Sequence, residues 1–176
     1  DDKVLDNMQR HIDSAATRAL LDRIRREVPG IHIRTTMMVG FPGEDEAAFG
    51  RLLDFVAEQR FERLGAFAYC EEEGTFGARN YADDIPDEVK QSRLDKLMAL
   101  QQDIAFEIAQ EKVGSTLRVI VDEFDGDRFV GRTEYDSPEV DCNVFIDADE
   151  ELEIGGIYDV DIYAADGFDL LGRVKK

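Results

Sequence analysis

The chain has 176 residues, 43% of them apolar and 35% charged, which fits one ordinary domain or two small ones with a buried core and excludes membrane and collagen-like classes. Its 40 acidic side chains against 21 basic ones leave a balance of -19, so an extended contact with nucleic-acid phosphates would work against the protein's own field and nucleic acid is not expected as a partner. Cys70 and Cys142, with His11 and His32 far from both, lack the spacing of a zinc site, a redox pair or a disulfide framework, so reduced thiols in a cytoplasmic location are expected.

From Lys3 to Arg10 and again from Ser14 to Val28 the residues favour helix, with Leu20, Leu21, Ile24 and Val28 at three- and four-residue spacing and Ser14 placed to cap. Pro29-Gly30 stops that helix. The first eleven residues are charged, carry no apolar run of the secretory kind and include no initiator Met at their head, so the chain is expected to be an excised piece. Ile31 to Val39 is β-branched and rich in Thr and Met between turn residues, which predicts a buried strand. A Phe41-Pro42-Gly43 turn then enters a helix of about Glu44 to Gln59, with Phe49, Leu52, Leu53 and Val56 on one face and three acids in the first turn, where the helix dipole favours anions. Leu64 to Cys70 reads as a second short strand.

Helix, strand, helix, strand with connections this short is the pattern of parallel α/β architecture. Two strands cannot make a sheet covered on both faces, so a partner copy or a larger barrel that the chain enters partway is expected to supply the rest. A polar loop over residues 71–86 follows, and Pro86 opens a long connecting helix to about Lys112, with Leu94, Leu97, Met98, Ile104 and Ile108 on one stripe and Gly114 as its stop. Beyond it, Thr116–Phe124, Arg128–Thr133, Asn143–Ile146, Ile157–Ala164 and Phe168–Val174 are short apolar runs punctuated by Asp125-Gly126, Gly155-Gly156 and Asp166-Gly167. Five strands in so short a stretch predict a small closed barrel of the oligonucleotide-binding kind. The fold class is thus α/β followed by all-β, divided as residues 1–86, a connecting helix at 87–112 and a barrel at 113–176.

Alternation along the first strand places His32, Arg34, Thr36, Met38 and Gly40 on one side. That set is too polar for a dry interior, so Arg34 with Thr36 implies either a lined cavity for a polar or charged ligand, or an Arg at a strand edge paired with a carboxylate. The Gly40-Phe41-Pro42-Gly43-Glu44 turn falls at the carboxyl end of a strand and the amino end of a helix, where α/β proteins place ligands and where Gly40 permits close backbone approach. Phe67 and Tyr69, alternating on the next strand, supply either a flat wall beside a base or an aromatic patch of core.

Two segments carry a resemblance. Arg34-Thr-Thr-Met-Met-Val-Gly-Phe-Pro-Gly-Glu44, followed after one helix by Phe67-Ala-Tyr-Cys-Glu-Glu-Glu-Gly-Thr75, resembles the second half of the radical S-adenosylmethionine (SAM) barrel of the methylthiotransferases. The connecting helix, with Glu88-Val-Lys-Gln-Ser-Arg-Leu-Asp-Lys-Leu-Met98, then leads into a barrel that resembles a TRAM domain. What the resemblance implies is a partial, TIM-like radical SAM barrel of parallel strands, with Arg34, Thr36, Gly40, Phe67 and Tyr69 as candidate SAM contacts. It also implies two 4Fe-4S clusters whose cysteine ligands lie outside this chain, since two distant cysteines cannot supply a C-x-x-x-C-x-x-C triplet. Cys70 stands where relatives often have Ser and is read as a small buried residue. No metal ligand and no catalytic residue is expected within the chain, which on its own would be inactive.

Within that family the RimO type modifies an aspartate of ribosomal protein S-twelve and the MiaB type a tRNA adenosine. Gly131-Arg-Thr-Glu-Tyr-Asp-Ser-Pro-Glu-Val-Asp141 looks like the RimO version of the TRAM segment, and Glu72 and Glu73 stand where the tRNA branch shows an Arg and a Pro. Charge points the same way: residues 111–176 hold 18 acids against 7 bases, a balance of -11, which repels RNA and attracts a basic protein. Glu134, Asp136, Glu139 and Asp141 are therefore the candidate docking residues for a basic ribosomal protein. A tRNA methylthiotransferase and a non-catalytic protein-binding module remain the alternative readings.

Overall fold

A computed structural model of the chain describes residues 1–175. They form two compact units, Asp1–Ile104 and a second from Ala105 onward. The first holds α1 (Asp2–Asn7), α2 (Ser14–Glu27), β1 (Arg34–Val39), α3 (Glu46–Gln59), β2 (Arg63–Ala68), α4 (Phe76–Asn80) and most of α5 (Asp87–Glu111); the second holds β3 (Thr116–Phe124), β4 (Phe129–Thr133), β5 (Val144–Asp147), β6 (Ile157–Asp166) and β7 (Asp169–Val174).

Short acidic side chains start the first helices. Asp1, Asp13 and Asp45 accept from the backbone N–H of Val4, Ala16 and Ala48, each satisfying a donor that has no partner within the helix. The cap of α2 is thus Asp13 and not the expected Ser14, because Asp13 is the last extended residue and Ser14 is already helical. α3 ends on Arg60, which is left-handed at φ 46°.

β1 and β2 pair in parallel, from Arg34 beside Arg63 to Val39 beside Ala68. β1 starts later than the apolar run from Ile31 predicts: Ile33 gives its N–H to the Glu62 side chain at 2.8 Å, and the ladder begins only where β2 is available. Val39 and Leu64 are buried, as are Phe49, Val56, Phe61 and Leu97 from the flanking helices and loop. The other face is open. Arg34 and Thr36 on β1 and Gly65 and Phe67 on β2 are exposed, so the expectation of a strand buried on both sides does not hold for β1 among the described residues. The alternation is the physical reason, since the exposed set is the polar one.

The polar loop after β2 contains a helix that composition hides. α4 is capped by Thr75, whose hydroxyl accepts from the Ala78 N–H at 3.2 Å. Cys70 is exposed rather than buried, because the chain leaves the sheet at Ala68 and turns outward one residue after the buried Tyr69.

The second unit is a closed barrel in the order β3-β4-β5-β7-β6, antiparallel throughout except for β5 beside β7. Val119, Val121, Val144, Ile146, Val160, Ile162 and Leu170 fill it. Two glycines let the strands approach: a Cβ at Gly131 would lie 2.3 Å from the Ile120 carbonyl oxygen, and one at Gly172 would lie 2.4 Å from a Val160 methyl. The five strands agree with the apolar runs in number and to within two residues in extent, and the α/β-then-all-β order holds. No helix among the described residues is long and apolar enough to cross a membrane.

Candidate functional site

The site grows from the turn at the carboxyl end of β1. Phe41 to Glu44 closes with the Glu44 N–H donating to the Phe41 carbonyl at 2.9 Å, and Gly43 sits at φ 88° behind Pro42. Proline then a left-handed glycine at the two central positions is the chemistry of a type II turn. Glu44 folds back so that its Oε1 accepts the Gly40 N–H at 2.9 Å. The Gly40 amide, expected to face a ligand, is therefore spent inside the turn.

Two side chains that the sequence reading passed over hold this turn. Arg93 donates to the Glu44 carbonyl at 3.0 Å and to Glu44 Oε1 at 2.9 Å, with both residues buried. Lys90, one turn earlier on α5, runs its stem beneath Gly40, where a Cβ would lie 2.4 Å from Lys90 Cγ. Its ammonium reaches Asp83 at 2.6 Å and Asp87 at 3.5 Å and lies 5.6 Å from the centre of the Tyr69 ring. Burial alone would lower the Lys90 pKa, but the two carboxylates outweigh it and raise it above the ordinary value. Burial pushes the Glu44 carboxyl up, against the pull of the Gly40 amide and Arg93. The signal that could have found this pair is a Lys and an Arg three apart on a helix whose apolar stripe they share.

Two clefts flank the open sheet face. One of about 320 Å³ is lined by Val4, Met8, Thr36, Met38, Glu44 and Phe67. The other, about 380 Å³, is lined by Phe41, Phe67, Tyr69, Glu72, Thr75 and Gly77. Phe67, 48% exposed, stands between them with Met38. Tyr69 is only 8% exposed, with its ring 5.0 Å from Phe41 in an edge contact. Its hydroxyl has no hydrogen-bond partner, and burial raises its pKa, helped by Glu71 and Asp83.

The five residues expected around one ligand do not converge. Thr36 and Phe67 share a cleft, Tyr69 faces the neighbouring one, and Gly40 is packed against Lys90. Arg34 opens β1 at its amino end, roughly 20 Å of strand from Gly40, and lines neither cleft. The described residues include no group of three or more His, Cys, Asp or Glu placed to hold a metal ion.

In the barrel the acidic segment is the connection from β4 to β5. Asp136 accepts the Thr133 hydroxyl at 2.5 Å, and Asp141 accepts the Ser137 N–H at 2.7 Å. These two acids shape the loop. Glu134 and Glu139 are exposed, the latter in a left-handed conformation at φ 63° beside Val140, which is 72% exposed.

Residues 113–174 match the TRAM domain family model, so the barrel is a TRAM domain. Over 98% of its length the chain is similar to proteins called ribosomal protein uS12 methylthiotransferase RimO: 57% identical to one from Phocaeicola vulgatus, 54% to one from Parabacteroides distasonis and 47% to one from Desulfitobacterium hafniense. This similarity agrees with the resemblance carried by the 34–44 and 67–75 segments. It spans about 40% of the length of the relatives it matches.

Proposed function

We propose that the chain is the carboxyl-terminal part of a radical SAM methylthiotransferase that modifies the β-carbon of an aspartate in ribosomal protein S-twelve. The observation that carries this reading is the 47–57% identity, over nearly the whole chain, to proteins bearing that substrate in their name. On this reading residues 1–86 are the last strands of the radical SAM barrel, 87–112 the connecting helix and 113–176 the TRAM domain, in a cytoplasmic enzyme. The parallel pair β1–β2, with two clefts beside it, suits that role, since α/β proteins bind ligands beyond the carboxyl ends of their strands.

The open face fits a nucleoside. Phe67 offers a flat exposed ring, Thr36 a hydroxyl on the same face, and Met38 an apolar floor between the clefts. When bound in the parent protein, SAM and an iron-sulfur cluster would supply one-electron chemistry at the aspartate β-carbon. Within this chain Thr36 and Phe67 would orient the nucleoside and the Gly40–Glu44 turn would shape the rim, whereas Arg34 lies outside both clefts and is given no contact with it. Tyr69, expected beside the adenine, lines the adjoining cleft instead. The described residues do not fit either cluster, so their cysteines are assigned to the rest of the parent protein and no step is derived through them.

The TRAM domain, at a balance of -11, would steer a basic client toward the enzyme, an effect that weakens with salt. Glu134 and Glu139 present outward charge, while Asp136 and Asp141 hold the loop that carries them. The test is to reconstitute the parent protein with iron and sulfide and assay ribosomal protein S-twelve and tRNA side by side by mass spectrometry. A methylthio group on the protein aspartate supports the reading; methylthiolated adenosine in the tRNA, or neither product, overturns it. Phe67→Ala should raise the KM for SAM, and E134K/E139K should raise the KM for the client.

A further inference from the structure

The second cleft combines three things that no nucleoside requires together. Its floor and sides are apolar, from Met38, Phe41 and Phe67. One acid, Glu72, lines it, with Glu71 and Glu73 on either side in a loop that carries no basic residue from Cys70 to Thr75. And a phenol hydroxyl with no partner, on the 8% exposed Tyr69, lies buried just beneath its wall, within 3.1 Å of where a Cβ on Gly77 would stand. A buried hydroxyl left without a hydrogen bond costs free energy, so a group that bonds to it from the cleft recovers that cost.

We propose that this cleft takes a cationic side chain, a lysine or arginine, of the client protein. The alkyl stem lies along Met38 and Phe67, an N–H of the head donates to the Tyr69 hydroxyl oxygen, and Glu72 supplies the opposite charge. The nearby ammonium of Lys90 does not repel such a guest, because Asp83 and Asp87 already neutralise it. Gly77 keeps the wall thin: any larger residue there would crowd the hydroxyl. Tyr69 and Glu72 thereby become specificity-determining residues, fixing the client by a basic residue near its target aspartate. This deepens the functional reading above and rests on it.

The experiment uses the reconstituted parent enzyme with ribosomal protein S-twelve, comparing wild type with Tyr69→Phe and Glu72→Gln. Neither variant removes a packed atom beyond the hydroxyl or changes the shape of the loop. Tyr69→Phe should raise the KM for the protein client about tenfold, the loss expected for a hydrogen bond to a charged group. Glu72→Gln should raise it about threefold, as for an exposed ion pair, and the increase should shrink with added salt. The KM for SAM should stay unchanged in both. Replacing the client's basic residues near the aspartate with glutamine one at a time should yield one client variant for which the Glu72→Gln penalty vanishes. A rise in the KM for SAM instead, at unchanged client KM, would give the cleft to the nucleoside and overturn the proposal; so would unchanged constants throughout. If wild type modifies no protein at all, the failure lies in the functional reading and not in the cleft.

Discussion

The Glu44–Arg93 pair is the contact on which the strand-end turn depends, and it gives the sharpest stability prediction. Both side chains are buried, and Arg93 makes two hydrogen bonds to Glu44, one to its carbonyl and one to its carboxylate. Removing one partner of a buried ion pair leaves the other charge uncompensated, at a cost of about 3–5 kcal/mol. Against the ~5–15 kcal/mol that holds a typical domain, this is a large fraction. Arg93→Ala should therefore lower the urea midpoint of the first unit strongly, and Arg93→Lys, which keeps the charge but not the fork, should fall between. The double variant R93A/E44Q should be more stable than R93A alone, because the orphaned charge is gone. The sign with pH follows from Glu44, whose carboxyl is already raised above the ordinary 4.5 by burial. A carboxyl raised in the fold contributes stability that is present below its unfolded pKa and lost as pH rises through the folded one. Removing Arg93 raises it further, so the Arg93→Ala penalty should be smallest in acid and grow toward neutrality. Urea titrations at a series of pH values measure this; a penalty under about 1 kcal/mol, or one that grows as pH falls, would refute the argument.

Three further outcomes are expected. Gly40→Ala sets a Cβ 2.4 Å from the pinned Lys90 stem at a left-handed φ of 75°, whereas Gly30→Ala meets nothing within 4 Å at φ 80°; the first should cost well over the ~1 kcal/mol of backbone strain that the second costs, read from paired denaturation curves. Asp45→Asn should flatten the acid limb of the stability profile, because the Ala48 amide holds the Asp45 carboxyl below its ordinary 3.8, and the stability this provides is present above that value and lost as pH falls through the folded pKa. A thiol reagent should label exposed Cys70 in the native protein ahead of the partly buried Cys142, and equal rates before and after denaturation for Cys142 would contradict its partial burial.

The barrel is legible in the amino-acid sequence because each of its signals is local. Period-two apolar runs such as Ile157–Ala164 and glycine-bearing turns such as Asp125-Gly126 specify strands and hairpins from neighbouring residues alone, and the barrel has those strands. The long helix and the helix after the Phe41-Pro42-Gly43 turn follow for the same reason, while the order of helices and strands with short connections pointed to the parallel pairing of β1 with β2. What the chain order could not specify was the use made of polar side chains. Nothing in the spacing singled out Lys90 and Arg93, yet both are buried, Lys90 beneath Gly40 and Arg93 against Glu44, 49 residues away in the chain. Likewise spacing did not show that Asp136 and Asp141, expected as docking charge, also hold their own loop.

By itself the sequence determined the type of most elements, the closed barrel and the resemblance to known proteins, all of which rest on short-range propensity and motif order. The tertiary structure decided that Gly40 spends its amide on Glu44, that Arg34 stands at the far end of its strand from the turn, and that Tyr69 keeps a buried hydroxyl without a partner. Burial and hydrogen-bond satisfaction depend on which residues meet across long separations in the chain. A pattern of one-dimensional spacing carries no record of that.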